Sequence, residues 1–104
     1  MHNPPSLTRD ERRAALHKAA ENRKTRARFK EDIRTGKREW REALDSSDLA
    51  IQKMRVKELI ESLPGFGSIR AIAVLDRAGI SHSRRIQGLG ISQREKLKTE
   101  LKGR

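Results

Sequence analysis

The chain has 104 residues, of which 38% are charged and 34% hydrophobic, and its formal net charge at pH 7 is +11. This length corresponds to one domain, and the low hydrophobic fraction allows only a small core. The absence of cysteine excludes a disulfide framework and a thiolate metal site, and three aromatic residues are too few for a platform that stacks single-stranded bases.

Positive charge of this size is typical of nucleic-acid-binding proteins. It is unevenly distributed, because residues 64–104 hold nine lysines and arginines against three acidic residues. No apolar run approaches the roughly 20 residues of a membrane span. The N-terminus also lacks the apolar segment of a secretory signal. We therefore expect a soluble cytoplasmic protein with no membrane partner.

The first predicted element is a long basic helix over residues 8–35, preceded by a disordered leader at residues 1–7. The sequence Thr8-Arg9-Asp10-Glu11 is typical of a capping box, in which the first and last side chains each accept the other's backbone amide. Gly36 ends the helix. Its alanine-rich first half offers little apolar surface, so we expect it to project from the body of the protein.

A basic ridge follows one face of this helix, since its members fall at i, i+3, i+7 and i+11. They are Arg23, Arg26, Lys30 and Arg34. Crowded like charges cost helix stability unless a polyanion relieves them, so Arg23, Arg26 and Lys30 are predicted accessory DNA contacts. The alternative is a solvated helix face with ion pairs to Glu21, Glu31 and Asp32.

The sequence of residues 37–104 predicts one all-α unit, because it contains no alternating strand pattern. A short helix at 38–44 and a segment at 49–53 come first. The next helix has the apolar face Val56, Leu59, Ile60 and Leu63.

The following helix has the predicted core stripe Ile69, Ile72, Ala73 and Leu75, and ends at Gly79. A capping box at Ser92-Gln93-Arg94-Glu95 is predicted to open the last helix, and the core is expected within residues 29–101.

Two glycine turns carry the strongest functional signal. They read Leu63-Pro64-Gly65-Phe66-Gly67-Ser68 and Ile86-Gln87-Gly88-Leu89-Gly90-Ile91-Ser92, with an offset of 23 residues. Glycine permits positive φ and close approach of a partner. The first amides of the helix that follows lack internal acceptors and carry partial positive charge. Each turn is therefore a candidate phosphate site, although such turns also serve as plain helix connectors.

The candidate site combines these turns with nearby arginines. The predicted DNA-binding residues are Gly65, Phe66, Gly67, Ser68, Arg70, Arg84, Arg85, Gly88, Gly90, Ser92, Gln93 and Arg94. Accessory contacts are predicted at Lys53 and Lys57. Phe66 and Leu89 are interpreted as plugs that hold each turn on the core. Arg84 and Arg85 can bind phosphates or enter a narrow minor groove, and Ser92 is interpreted mainly as a helix cap.

The segment Leu59–Ala71 resembles a helix–hairpin–helix, and the second turn matches it without the proline. Two such units resemble the helix–two-turns–helix of a small-subunit ribosomal protein and of some repair glycosylases. Nearly all of residues 6–102 is similar to the actinobacterial integration host factor family. This resemblance rests on the order of the capping-box helix, Lys53-Met54-Arg55-Val56-Lys57, the first turn, Ser83-Arg84-Arg85-Ile86 and Gly88-Leu89-Gly90.

The resemblance implies a nucleoid-associated monomer whose partner is double-stranded DNA. It implies weak sequence preference, bending or compaction of DNA, and assistance to a phage integrase complex. The basic run of the family maps onto Arg84 and Arg85. Gln87 stands where the family has another basic residue, and only Arg70 follows the first turn, where the family often has lysines.

Two rival functions also fit the sequence. An RNA-binding protein could place the two turns on ribosomal or other structured RNA, since backbone contacts alone do not separate B-form from A-form helices. A protein-interaction module could use the apolar helix faces instead. Catalysis is not indicated, because Asp76 and Lys96 are isolated and the histidines have no metal-site spacing. We expect neither an enzyme nor a metal or cofactor.

Overall fold

The computed structural model describes residues 8–104, so the predicted leader at residues 1–7 lies outside the described part. Five α-helices follow in chain order: α1 (Arg9–Arg34), α2 (Leu49–Gln52), α3 (Val56–Glu61), α4 (Ser68–Ala78) and α5 (Ile91–Glu100). Two 3₁₀ turns lie at Trp40–Ala43 and Ile86–Gly88. Within residues 8–104, β-type backbone pairing is limited to one isolated antiparallel bridge between Arg55 and Arg85. The predicted all-α class with a long N-terminal helix is confirmed.

The start of α1 forms the predicted capping box. The Thr8 amide donates to Glu11 Oε1 at 2.9 Å, and the Glu11 amide donates to Thr8 Oγ1 at 3.1 Å. The hydrogen bond from the Thr8 backbone is the main reason that the pKa of the Glu11 carboxyl lies below its ordinary value, and the Thr8 side chain lowers it further. Gly36, with φ +83°, takes the left-handed conformation just after α1 ends.

Only the end of α1 packs on the body of the protein. Phe29 and Ile33 are its buried residues, and residues 9–18 are exposed throughout. Two charged contacts strengthen this docking: Lys30 Nζ lies 2.8 Å from Glu58 Oε1 on α3, and the Arg38 guanidinium lies 5.3 Å from the centre of the Phe29 ring. The first half of α1 projects, as predicted.

All five helices and both 3₁₀ turns contribute to the core, with the most buried residues on α3 and α4. It extends from Phe29 to Leu101, within the predicted limits. The largest fully buried side chains are Trp40, Met54, Leu59, Ile60, Leu75, Ile86, Leu97, Leu101 and Val56. In the part of the chain that the structure describes, no helix is long and apolar enough to span a membrane.

Two details of the predicted helices are wrong. The buried stripe of α4 is Ala71, Val74, Leu75 and Ala78. Of the predicted stripe, Leu75 is buried, Ile72 and Ala73 are half-buried, and Ile69 is 86% exposed. Because α4 begins at Ser68, Ile69 falls in its first turn, on the side away from the core. The last helix begins at Ile91, with Gly90 as the N-cap, so the capping box predicted at Ser92–Glu95 does not form.

Candidate nucleic-acid interface

The first glycine turn joins α3 to α4 and needs glycine at one position. Gly65 has φ +80°, a conformation that other residues rarely adopt. The Phe66 amide donates to the Leu63 carbonyl at 3.0 Å, and the Phe66 side chain is buried. Phe66 therefore fixes the turn on the core, as its interpretation as a plug requires.

The helix that follows this turn presents free amides. Ala71 is the first residue of α4 whose amide bonds back into the turn, to the Gly67 carbonyl at 3.0 Å. Across residues 8–104, the amides of Ser68, Ile69 and Arg70 have no acceptor, and the N-cap Gly67 has no side chain to supply one. These donors lie at the positive end of an 11-residue helix, where a phosphate oxygen is favoured.

Two guanidinium groups are held at the first turn by the Phe66 ring. Arg70 lies 4.1 Å from the ring centre, and its Nη1 donates to the Gly65 carbonyl at 3.0 Å. Arg104 lies 5.4 Å from the same ring centre. Cation–π contacts preorganise both charges beside the free amides. The sequence analysis missed Arg104, because no local pattern relates a residue after α5 to the first turn.

The second glycine turn consists of the 3₁₀ turn Ile86–Gly88 and the N-cap of α5. Leu89 is buried, matching its interpretation as a plug. Gly90 has φ −77° and Gly88 does not have positive φ. The glycine-specific conformation expected of both turns is therefore found only at Gly65 within the two turns. The amides of Ile91, Ser92 and Gln93 have no acceptor in the described chain, so this turn also ends in free donors.

Arg84 stabilises the second turn by packing against the backbone of Gly88. Its Nη1 donates to the Gly88 carbonyl at 3.2 Å, and a Cβ on Gly88 would lie 3.1 Å from Arg84 Cδ. Its Nε is buried, with no partner among residues 8–104. A side chain at position 88 would therefore crowd Arg84 by a few tenths of an ångström, whereas the backbone conformation there does not require glycine.

Arg85 faces a second arginine that the sequence analysis did not select. Arg55 and Arg85 form the isolated antiparallel bridge. The flanking bonds are Val56 amide to Arg84 carbonyl and Ile86 amide to Met54 carbonyl, both 2.9 Å. Arg55 and Arg85 are therefore a non-hydrogen-bonded pair, the kind in which facing side chains lie closest. Both are exposed, and the Arg85 Nη1 donates to the Lys53 carbonyl at 3.1 Å.

The alternation of Lys53, Arg55 and Lys57 was the available signal for Arg55. An extended chain places alternate residues on one side, so this run presents its charges together if it is extended. Pairing with residue 85 could not be read from the local sequence.

Two predicted site residues use their polar groups inside the protein. The Gln93 side chain accepts from the Gly90 amide and donates to the Gly79 carbonyl, both at 3.1 Å. Arg94 Nη1 donates to the Leu44 carbonyl at 2.8 Å. Gln93 and Arg94 thus position α5. Ser68 and Ser92 are exposed, and neither hydroxyl is hydrogen-bonded within the described chain.

The accessory residues divide into paired and unpaired groups. Lys30 is paired with Glu58, and Lys57 lies 3.7 Å from Glu61. Arg34 pairs with Glu31. Over residues 8–104, Arg23, Arg26 and Lys53 have no ion pair. The solvated-face alternative therefore describes Arg34, whereas Lys30 pairs with α3 and docks the helix. Arg23 and Arg26 stay available to a partner.

Acidic residues and histidines do not assemble into a metal site in the described chain: no group of three or more is suitably placed. His82 Nε2 lies 2.7 Å from Asp76 Oδ1, and this pair is exposed.

Residues 33–101 match the S13-like H2TH domain family, which is a class of helix–two-turns–helix proteins. The integration host factor of Streptomyces coelicolor is 42% identical over 93% of this chain and 92% of that protein. The integration host factor of Mycobacterium tuberculosis is 38% identical over 89% of this chain and 90% of that protein. The chain belongs to this family of actinobacterial integration host factors.

A solved structure agrees with this assignment. It is described as the structure of sIHF bound to an 8bp palindromic DNA. Its chain is 40% identical, superposes with a TM-score of 0.78, and covers 81% of this chain and 97% of its own length. The fold described above is therefore the fold of a relative that has been solved with DNA.

Proposed function

We propose that this protein is an architectural DNA-binding protein that contacts the backbone of a duplex with weak sequence preference and bends it. The observation that carries the proposal is the facing pair Arg55 and Arg85. Like charges directly opposite in an antiparallel pair destabilise it, and these two are the closest kind of pair. A bound phosphate oxygen turns that repulsion into two charge-assisted hydrogen bonds.

The rest of the interface supports a backbone contact. The free amides after each glycine turn and the guanidiniums of Arg70 and Arg104 suit phosphate oxygens. Phosphate contacts fix the position of a protein on the duplex without reading bases. Weak sequence preference follows from this chemistry.

Bending follows from a second surface. Arg23 and Arg26 lie on α1, and they are unpaired over residues 8–104. We expect a duplex that touches both the turns and α1 to curve around the body, and smooth bending by 40–90° costs about 1–6 kcal/mol. A few additional phosphate contacts offset this cost.

Duplex DNA is favoured over RNA as the partner. The solved relative carries DNA, and the curated relatives are named for a role in integration. An architectural role rather than a catalytic one is supported by the DNA-bound relative and by the integration host factor relatives. We further propose a monomer that lies on the nucleoid and assists a phage integrase.

The test is a fluorescence-anisotropy titration of a random duplex at several salt concentrations, with structured RNA and single-stranded DNA as competitors. Five neutralised phosphates give a slope of log K against log salt near −4 to −5. Arg55→Gln with Arg85→Gln is expected to weaken binding on all sequences by about 1–3 kcal/mol and to reduce the slope by about two.

Lys37→Gln is the matched control, since Lys37 is exposed in the loop after α1 and outside both glycine turns. It should reduce the salt slope by less than half of the reduction in the Arg55/Arg85 double variant, which removes two charges. Better competition by RNA than by duplex DNA, or a slope near −1, contradicts the proposed function. Sedimentation of the free protein, imaging of a fluorescent fusion and a recombination assay test the monomer, the nucleoid location and the integrase role.

A further inference from the structure

Large apolar side chains are exposed at four places in the described chain. They are Leu16 (71%), Leu49 (56%), Ile69 (86%) and Ile91 (84%). Single exposed apolar residues are common on protein surfaces and usually need no explanation. The positions of Ile69 and Ile91 do need an explanation, because each lies in the first turn of a helix that follows a glycine turn.

The two glycine turns therefore share a second pattern. Each has one apolar residue directed into the core, Phe66 or Leu89, and one left in solvent two or three residues later. The exposed residue in each case also carries one of the free amides. A phosphate bound at those amides brings the sugar and groove edge of the same strand against the isoleucine side chain.

We propose that Ile69 and Ile91 are apolar contacts to duplex DNA, packing against deoxyribose and base edges of the minor groove beside the phosphates held by each turn. The inference rests on the proposed function and extends it. Apolar side chains that enter the minor groove unstack or widen base steps and bend the duplex. Isoleucine suits this role, since its branched side chain is stiff and loses little freedom on contact.

The surrounding charge selects DNA over an apolar protein partner. Arg70 follows Ile69 directly, and residues 64–104 hold nine basic against three acidic residues. An apolar protein surface placed over either isoleucine would have to desolvate these cations without pairing them, which is costly. A nucleic-acid backbone neutralises them and offers apolar sugar faces between its phosphates.

The test uses Ile69→Ala, Ile91→Ala and the double variant in the full chain. Alanine favours helix, and both side chains lie mostly in solvent, so the fold is expected to persist. Each single variant should bind duplex DNA roughly five- to tenfold more weakly, the effect of losing a partly buried side chain. The salt slope should stay at the wild-type value because no cation is removed. The bend, measured by fluorescence energy transfer between the ends of a labelled duplex, should decrease.

Leu49→Ala is the matched control, because it removes an exposed apolar side chain that lies away from the turns and outside α1. It should leave affinity and bend unchanged. Isoleucine variants that bind and bend DNA like the wild type overturn the inference and leave the proposed function standing. A wild-type protein that does not bind duplex DNA overturns both. Self-association of the free protein that both isoleucine variants abolish also overturns it, since a second copy is then the occupant.

Discussion

At the scale of single residues, the glycines of the first turn serve different purposes. Gly65 has φ +80°, which the fold itself requires. Gly67 has φ −96°, and an added Cβ would meet no atom within 4 Å. The folded chain therefore accepts alanine at position 67. A methyl group at position 67 would, however, block a ligand that approaches the free amides of Ser68 and Ile69.

Gly67→Ala is accordingly expected to separate binding from stability. The free energy of unfolding should fall by less than about 1 kcal/mol, the cost of a poorer N-cap. Affinity for duplex DNA should fall about tenfold, since a methyl group at this position keeps a phosphate from the amides. Urea unfolding and fluorescence anisotropy on the same samples provide the two measurements.

Gly36→Ala is the reciprocal control for this prediction. Gly36 follows α1 with φ +83°, so alanine there should cost about 1–2 kcal/mol of stability. It lies outside both glycine turns, and DNA affinity should not change at temperatures where the protein stays folded. Equal losses of affinity in the two variants would mean that binding follows stability rather than contact at Gly67.

At the scale of helices and turns, arginines near the site divide between binding and bracing. Arg94 looks like a phosphate ligand in the sequence because it follows a glycine turn. In the fold its Nη1 reaches the carbonyl of Leu44 at the end of the first 3₁₀ turn, 2.8 Å away, and its Nε reaches the Leu89 carbonyl at 3.5 Å. Arg94 thus joins α5 to a segment that is distant in sequence.

Arg94→Met is therefore expected to lower the free energy of unfolding more than it lowers the free energy of DNA binding. Losing charge-assisted bonds to half-buried carbonyls costs about 1–3 kcal/mol, and methionine retains much of the apolar stem. Lys96→Met removes the same charge from an exposed position on the same helix and should leave stability within about 0.5 kcal/mol of wild type. Urea midpoints compare the two, and equal midpoints would show that Arg94 does not brace α5.

The sequence predicted what local physical chemistry determines. Capping at Thr8, the breaks at Gly36 and Gly79, and both glycine turns depend on residues a few positions apart. The register of α4 was wrong because Ile69 and Ile72 also fit a helical period. Only packing decides which of two adjacent stripes is buried, and here it selects the stripe that contains Ala71 and Val74.

Tertiary contacts account for the site residues that the sequence analysis missed. Arg55 joins the site through its bridge to Arg85, and Arg104 joins it through the Phe66 ring. Each contact connects segments far apart in the chain. The positive charge of Arg55 and Arg104 did not identify them as site residues, because the chain has many other basic residues.

For the molecule as a whole, the projecting helix sets the length of DNA that the proposed contacts would cover. The described chain extends 52 × 33 × 24 Å. A duplex rises about 3.4 Å per base pair, so the long axis corresponds to roughly 15 base pairs. A duplex of about 8 base pairs is too short to span it, whereas one of about 20 base pairs is long enough.

Duplexes of these two lengths separate the proposed contacts on α1 from those at the glycine turns. Arg23→Gln with Arg26→Gln removes two unpaired charges from α1 and leaves the Lys30–Glu58 contact that docks the helix. On a duplex of about 20 base pairs, the salt slope should decrease by about two and the bend should decrease as well. On a duplex of about 8 base pairs that occupies the glycine turns, affinity should change little. Anisotropy and energy transfer on both lengths measure this.

Lys24→Gln is a matched control, because Lys24 lies on α1 between these arginines but is 3.7 Å from Glu21, with which it pairs. It should reduce the slope on the long duplex less than the loss of Arg23 or Arg26 alone. Equal losses on both lengths would mean that α1 and the glycine turns contact the same short stretch of DNA. The helix would then add affinity without curving the duplex, and bending would depend on the contacts at the two turns.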